Sequence, residues 1–227
     1  MIRLLCVAVG YIFGLFQTSY LLGKMHNIDI RNMGSGNAGT TNTLRVMGVK
    51  AGVIVLLGDV LKTVAACLLT KYLFASSYPD MRYLLILYTA AGVTLGHDFP
   101  FYMNFKGGKG IAVTAGLIIF IDPWCFLVGL VAFFVPFLLT KYVSLGSLVT
   151  YLVFVIQLIV MGQSGYFTTK CGMGQGLLIE MYVVAALLLV LAYWRHRTNI
   201  VNLLKGTERK TYLTHRSEHI ENQRQGD

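Results

Sequence analysis

Apolar residues fill long runs in this chain, and the polar ones gather in a few short segments between them. The runs fall roughly at residues 2–23, 51–70, 83–96, 111–121, 124–139, 143–161 and 177–194. A helix crosses the hydrocarbon of a bilayer in about 20 residues, so the pattern predicts an all-α, polytopic integral membrane protein of about seven membrane helices. The third and fourth runs are short for a full span, which predicts partial or tilted helices flanking the polar loop between them. Arg3 ahead of the first run gives it the look of a secretory leader, yet no small-x-small cleavage pattern follows, so a retained helix is expected.

Composition fits this frame: 56% of the 227 residues are hydrophobic and 13% charged, more apolar surface than a soluble core can hide. The net charge of +9 would point to nucleic acid in a soluble domain. Here most basic residues lie in short loops and the tail, where orientation in the bilayer accounts for them, and no nucleic-acid partner is expected. With seven helices and the amino terminus outside, fourteen Lys and Arg fall inside and four (Arg3, Lys71, Arg82, Lys170) outside, with Lys62 within a helix. That bias places three polar segments, 34–50, 97–110 and 195–210, together at the cytoplasmic face of the membrane. Residues 1–210 read as one membrane-embedded domain and 211–227 as a polar tail whose composition predicts disorder. The four cysteines show neither a disulfide framework nor a metal-ligand spacing, so no metal site is expected.

The first polar segment reads Gly34-Ser35-Gly36-Asn37-Ala38-Gly39-Thr40-Thr41-Asn42, followed by Arg45, Gly48 and Lys50. Its glycines let the backbone approach a ligand and turn N–H groups towards it, while Ser35, Asn37, Thr41 and Asn42 add neutral donors. Arg45 adds a forked cation suited to phosphate. A linker between two helices has no need of so many donors, so an oxyanion site is expected. The second segment, Gly96-His97-Asp98-Phe99-Pro100 to Phe105-Lys106-Gly107-Gly108-Lys109-Gly110, admits two readings. Its glycines and lysines suit a phosphate cradle at a helix start; equally, Lys106 and Lys109 suit topology anchors, with His97 as a cap. The spacing is not that of a Walker A loop.

In the third segment, His196 and Asn199 stand three apart, which on a continuing helix puts them on one face at the membrane boundary. A lone juxtamembrane histidine is more often a helix-ending residue than a catalyst, so spacing alone does not make His196 one. Glu208, among cations, reads as a structural salt-bridge partner. Asp59 and Lys62, at i and i+3 within an apolar run, read as a structural pair; a proton relay would need more ionisable groups, and Glu180 is the other within the runs.

These motifs, in this order, resemble the bacterial acyl-phosphate:glycerol-3-phosphate acyltransferases. The resemblance rests on Gly34 through Asn42 with Arg45, on Gly96-His97 with Phe99-Pro100 and 105–110, and on His196, Asn199-Ile200 and Gly206-Thr207-Glu208. Tyr142 through Ser147, with Ser144, and the Asp59/Lys62 pair also fit, so it spans nearly the whole chain. Thr40 stands where the family commonly has Ala, and Asn202 where it commonly has Arg. The resemblance implies transfer of a fatty acyl group from acyl phosphate to the sn-1 hydroxyl of glycerol 3-phosphate, giving lysophosphatidic acid and inorganic phosphate, at the inner face of the bacterial cytoplasmic membrane and without a cofactor. It implies Ser35, Arg45, Lys106 and the loop glycines as phosphate holders, with Lys50, His97, Lys109 and Ser144 among the binding residues. His196 and Asn199 would orient or activate the hydroxyl, and the base stays open between His196 and a substrate phosphate. The implied partners are both substrates, membrane lipid and, as an association open to test, the enzyme that forms acyl phosphate. The HxxxxD dyad of acyl-CoA-dependent acyltransferases is absent. A transporter of phosphate or another small anion is the alternative: the short third and fourth helices would then be discontinuous transport helices, although no internal repeat is evident.

Overall fold

The computed structural model describes residues 1–212, which are all-helical with no strand. Eleven α-helices follow in order: α1 Ile2–Gly14, α2 Thr18–Met25, α3 Thr40–Met47, α4 Val49–Phe74, α5 Arg82–Asp98, α6 Ile111–Ile121, α7 Pro123–Thr140, α8 Val143–Gln163, α9 Tyr166–Cys171, α10 Gln175–Arg195 and α11 Arg197–Leu204. Five segments are long and apolar enough to cross a membrane: Ile2–Met25, Val49–Phe74, Pro123–Thr140, Val143–Gln163 and Gln175–Arg195. α5 and α6, of 17 and 11 residues, are the short third and fourth runs. Leu61, Val131, Leu187 and Val190 are more than half exposed, as side chains facing lipid tails are.

The first apolar run is not one helix. It breaks between Gly14 and Thr18, and the cause is Gln17, whose side chain is fully buried. Its Nε2 donates to the carbonyls of Gly14 (3.1 Å), Gly96 (3.3 Å) and His97 (3.0 Å), satisfying helix-end acceptors of α1 and α5 together. Above this point α1 and α5 touch backbone to backbone. A Cβ on Gly10 would lie 1.9 Å from the Thr89 carbonyl oxygen, one on Gly14 2.3 Å from that of Val93, and one on Gly92 2.1 Å from that of Val7. Small residues four apart on both helices permit this approach, which packs helices in lipid where no hydrophobic drive exists.

α5 is almost wholly enclosed by its neighbours, and Leu84, Leu87, Leu117, Ile118, Leu158 and Met181 form the dense core between α5, α6, α8 and α10. α6 lies against α4 closely enough that a Cβ on Gly116 would sit 2.6 Å from the Val60 carbonyl oxygen. α7 starts on Pro123 with Asp122 as its cap, accepting from Trp124 N at 2.8 Å. At the end of the bundle where α10 begins, Arg3 pairs with Glu180, which also accepts from Tyr88 at 2.8 Å, tying α1, α5 and α10. At the other end the polar segments meet. The expected tail lies outside the described residues from 213 onward; Thr211 is buried, with its N–H on the Lys141 carbonyl at 2.9 Å.

Candidate active site

One cavity, with an empty volume of about 650 Å³ including space open to solvent, collects most of the polar residues read from the sequence. Its wall holds Ser35, Asn37, Gly39, Thr41, Asn42 and Arg45 from the first segment, and His97, Lys109 and Gly110 from the second. The third contributes His196, Asn199 and Glu208, and Ser144 joins from α8.

Helix starts supply its electrostatics. The first segment is not loop throughout: α3 begins at Thr40, so Gly39, Thr40 and Thr41 bring a helix N-terminus to the wall. Gly110, Ile111 and Ala112 bring the start of α6, and Val143 and Ser144 that of α8. Three N-termini with unpaired N–H groups favour an anion between them. The sequence reading missed Thr40, Ile111, Ala112, Val143 and Ser147 as wall residues. Ser147 was legible as the i+3 neighbour of Ser144 on one face of α8.

Two cations complete the site. Lys109 is half-buried and donates to Asn199 Oδ1, while Asn199 Nδ2 and Ser144 Oγ both donate to Glu208 Oε1 at 2.7 Å. Glu208 therefore stands as a hydrogen-bond acceptor joining α8 to α11, where a salt bridge was expected. Arg45 donates to the Arg209 carbonyl (3.1 Å) and Thr211 Oγ1 (2.6 Å), and its buried Nε has no partner within the described residues. Burial pulls both Arg45 and Lys109 below their ordinary pKa; Glu208 opposes this in both, and neighbouring cations, Arg209 for Arg45 and Arg195 and Arg45 for Lys109, add to it.

The helix carrying the third motif does not continue through it. α10 ends at Arg195, His196 is the junction, and α11 restarts at Arg197. His196 and Asn199 nevertheless reach the same wall. His196 Nδ1 lies 2.8 Å from the Ala192 carbonyl, which makes that nitrogen the N–H and leaves Nε2 the acceptor. Burial, then Lys109 and Arg195, hold the ring's pKa down to about 4.

Several expected binders lie off the wall. Lys50 and Lys106 are exposed; the backbone turns out through Asn104 and Phe105, both at positive φ, and carries Lys106 with it. Gly34 and Gly36, also at positive φ, shape the first loop, whose form is held by Asn42: its Oδ1 accepts from Ser35 N at 2.8 Å and its Nδ2 donates to the Ile30 and Met33 carbonyls. Gly107 and Gly108 do not point N–H groups at the cavity. Their amides donate to the Asp98 (3.1 Å) and His97 (3.0 Å) carbonyls, and Arg195 Nε caps the Gly108 carbonyl at 3.2 Å. The Asp59–Lys62 pair is present at 2.8 Å, with Asp59 on the wall and His97 Nδ1 3.0 Å from the Lys62 ammonium. Among the described residues no cluster of His, Cys, Asp or Glu has the makings of a metal site.

An all-helical membrane bundle with a cationic, helix-N-terminal cavity at one end defines an integral membrane protein that handles anions. Sequence comparison narrows the class: the chain belongs to the glycerol-3-phosphate acyltransferase family, whose model matches residues 4–206, and is an acyltransferase enzyme. The glycerol-3-phosphate acyltransferase of Clostridioides difficile (strain 630) is 38% identical over 209 residues, 91% of this chain and 94% of the relative. That of Shouchella clausii (strain KSM-K16) is 39% identical over 213 residues, 92% and 96% of the two chains. Among solved structures, the glycerol 3-phosphate form of PlsY, an integral membrane glycerol 3-phosphate acyltransferase, matches with a TM-score of 0.78 at 30% identity, covering 92% of this chain and 96% of that one. The lysophosphatidic acid form of PlsY matches at 0.76 and 28%. The resemblance read from the motifs is confirmed, and the transporter reading is set aside.

Proposed function

We propose that this enzyme transfers a fatty acyl group from acyl phosphate to the sn-1 hydroxyl of glycerol 3-phosphate, releasing lysophosphatidic acid and inorganic phosphate. The observation that carries this reading is the meeting of three helix N-termini with Arg45 and Lys109 around one cavity at the end of a lipid-facing bundle. Such a wall suits phosphate groups of both substrates while apolar helix surface beside it suits the acyl chain.

The reaction asks little of a base. The hydroxyl oxygen bonds to the acyl carbonyl carbon and the bond from that carbon to the phosphate oxygen breaks. The hydroxyl proton leaves as the departing phosphate gains one, so a phosphate oxygen can accept it without an outside group. His196, held neutral, offers Nε2 as the acceptor that orients the hydroxyl, with Asn199 fixed beside it by Lys109 and Glu208. Ser35, Thr40, Thr41, Arg45, Lys109 and the start of α6 hold the phosphates and the developing oxyanion.

The body spanning residues 1–210 acts as one membrane domain of seven membrane helices, amino terminus outside and cavity towards the cytosol, in the bacterial inner membrane. The fourteen-to-four distribution of basic residues supports that sidedness. Acyl phosphate reaching the cavity from the same face makes the enzyme that forms it a candidate partner.

Purified protein in detergent, given labelled glycerol 3-phosphate, is expected to form lysophosphatidate only when acyl phosphate is supplied. Product from acyl-CoA with none from acyl phosphate would overturn the donor assignment. A cysteine placed at residue 38 is expected to resist impermeant reagent from outside intact cells; its labelling would reverse the topology.

A further inference from the structure

Beneath the cavity lies a buried set of side chains that the mechanism above does not use. Lys62 is 6% exposed, and its ammonium group makes three contacts: the Phe16 carbonyl at 2.8 Å, Asp59 Oδ1 at 2.8 Å and His97 Nδ1 at 3.0 Å. An ammonium has three protons and no lone pair, so each contact takes one N–H and each partner accepts. His97 Nδ1 is thereby the bare nitrogen of the ring, and the proton of the neutral imidazole is on Nε2. This is the opposite tautomer to His196, whose Nδ1 faces a carbonyl.

His97 is on the cavity wall, and its Nε2 edge is turned towards Gly108, where a Cβ would lie 2.0 Å from Nε2. Gly108 lies against that side of the ring with its backbone alone, and its own amide is already committed to the His97 carbonyl. The glycine thus lets the second loop pack directly on the ring beside Nε2, while His97 keeps its place on the cavity wall. The backbone of His97 is held as well: its carbonyl accepts from Gln17 Nε2 at 3.0 Å and from Gly108 N at 3.0 Å.

From this we infer that Lys62 is a positioning residue, which fixes His97 as the Nε2–H tautomer so that the ring donates a hydrogen bond from the cavity floor to an anionic oxygen of the bound substrate. The inference rests on the reading of the cavity as a phosphate site. It gives the Asp59–Lys62 pair a purpose beyond mutual neutralisation: Asp59 keeps the lysine charged, and the charged lysine dictates which nitrogen of His97 carries the proton.

The test uses the full chain, with 15N-labelled histidine, in detergent micelles. Five histidines are present, and His97→Gln assigns the signal of interest. In the substrate-free wild type, two-bond 15N–1H correlations are expected to show His97 protonated at Nε2 and bare at Nδ1. Lys62→Met is expected to lose that pattern and to lower kcat/KM for glycerol 3-phosphate by roughly tenfold or more, the worth of a hydrogen bond to a charged group. Because Lys62→Met strands a buried carboxylate, Asp59→Asn/Lys62→Met serves where the single variant does not fold. His97→Gln, whose amide reaches the Nε2 position, is expected to retain more activity than His97→Asn. An Nδ1–H tautomer in the wild type overturns the proposal, as does an unchanged tautomer and kcat/KM in the lysine variants. Adding glycerol 3-phosphate is expected to shift the Nε2 proton; binding detected by 31P without that shift overturns the donation. If glycerol 3-phosphate does not bind at all, the phosphate reading of the cavity fails, and the substrate-free tautomer still decides the role of Lys62.

Discussion

Two glycine-rich loops face each other across the cavity, and they use glycine for different reasons. In the first, Gly34 and Gly36 sit at φ +60° and +71°, so the absent side chain permits a left-handed backbone. In the second, Gly107 and Gly108 have no positive φ; the absent side chain permits contact with His97, where Cβ atoms would come within 2.0 Å of its carbonyl oxygen and its Nε2. The first loop is shaped so that α3 can present its N-terminus, and the second is pressed onto the end of α5 so that Lys109 and α6 start in the right place. Similar composition therefore does not mean similar chemistry: the amides of the second loop are spent on α5.

The largest expected effect breaks the second loop. In Gly107→Ala the new Cβ meets backbone, which has little room to yield; displacing Lys109 by about 1 Å is expected to lower activity on the order of a hundredfold, against a stability loss of about 1–3 kcal/mol. Activity falling no further than the folded fraction would show that the loop does not place Lys109. Next comes the contrast of lysines within that loop. Lys109→Ala, like Arg45→Ala, is expected to cost about ten- to a hundredfold in kcat/KM, from a charged hydrogen bond of about 1.5–3 kcal/mol. Lys106→Ala and Lys50→Ala should stay within about twofold, because both side chains are exposed and off the wall. Comparable losses at Lys106 and Lys109 would restore Lys106 as a phosphate holder.

His196, joined to the second loop through Arg195, sharpens the comparison through pH. Its pKa near 4 keeps it neutral down to that pH, so loss of its acceptor on protonation belongs near pH 4. A phosphate base, with its second ionisation near about 6, puts the acid limb of the rate profile there instead. The expected profile falls near 6 in the wild type and keeps that limb in His196→Gln at a reduced rate. A limb near 4 that disappears in the variant would make His196 the base. The smallest effect is expected in the first loop: Gly36→Ala meets only the Arg31 carbonyl oxygen, at 3.1 Å, and should cost roughly 1–2 kcal/mol of local strain with activity within a few-fold. Heat denaturation and kcat measured together would separate the two.

Much of this arrangement was legible along the chain, and the failures have identifiable causes. Apolar runs marked the long helices because a bilayer imposes a length, and charge bias grouped the three motifs because loops between successive helices alternate sides. Residue type at a polar boundary points to Arg45, and the family resemblance adds Lys109, Ser144, His196 and Asn199; all five lie on the wall. Lys106 lies off the wall while Lys109 lies on it, a difference hidden in the sequence because a three-residue spacing does not reveal a turn through Asn104 and Phe105. The break at Gln17 was hidden because one amide in an apolar run gives no hint of the three carbonyls it will cap. Glu208 was read as an ion partner because the chain around it is cationic, while its partners come from α8 and α11.

By itself, then, the sequence determined the solvent of each segment, the family and the residue types at the active end. Hydrophobic length and motif order are one-dimensional quantities, and hydration of backbone and charge acts on them locally. Only the tertiary structure decided which glycines take a left-handed turn and which allow close packing, which lysine reaches the cavity wall, and which groups face the ring nitrogens of His97 and His196. Those outcomes depend on contacts of a few tenths of an ångström between segments far apart in the chain: His97 with Lys62 and Gly108, Arg195 with Gly107 and Gly108, Gln17 with Gly96. Close packing and paired hydrogen bonds arise only when those segments meet, and so no property of one segment alone encodes them.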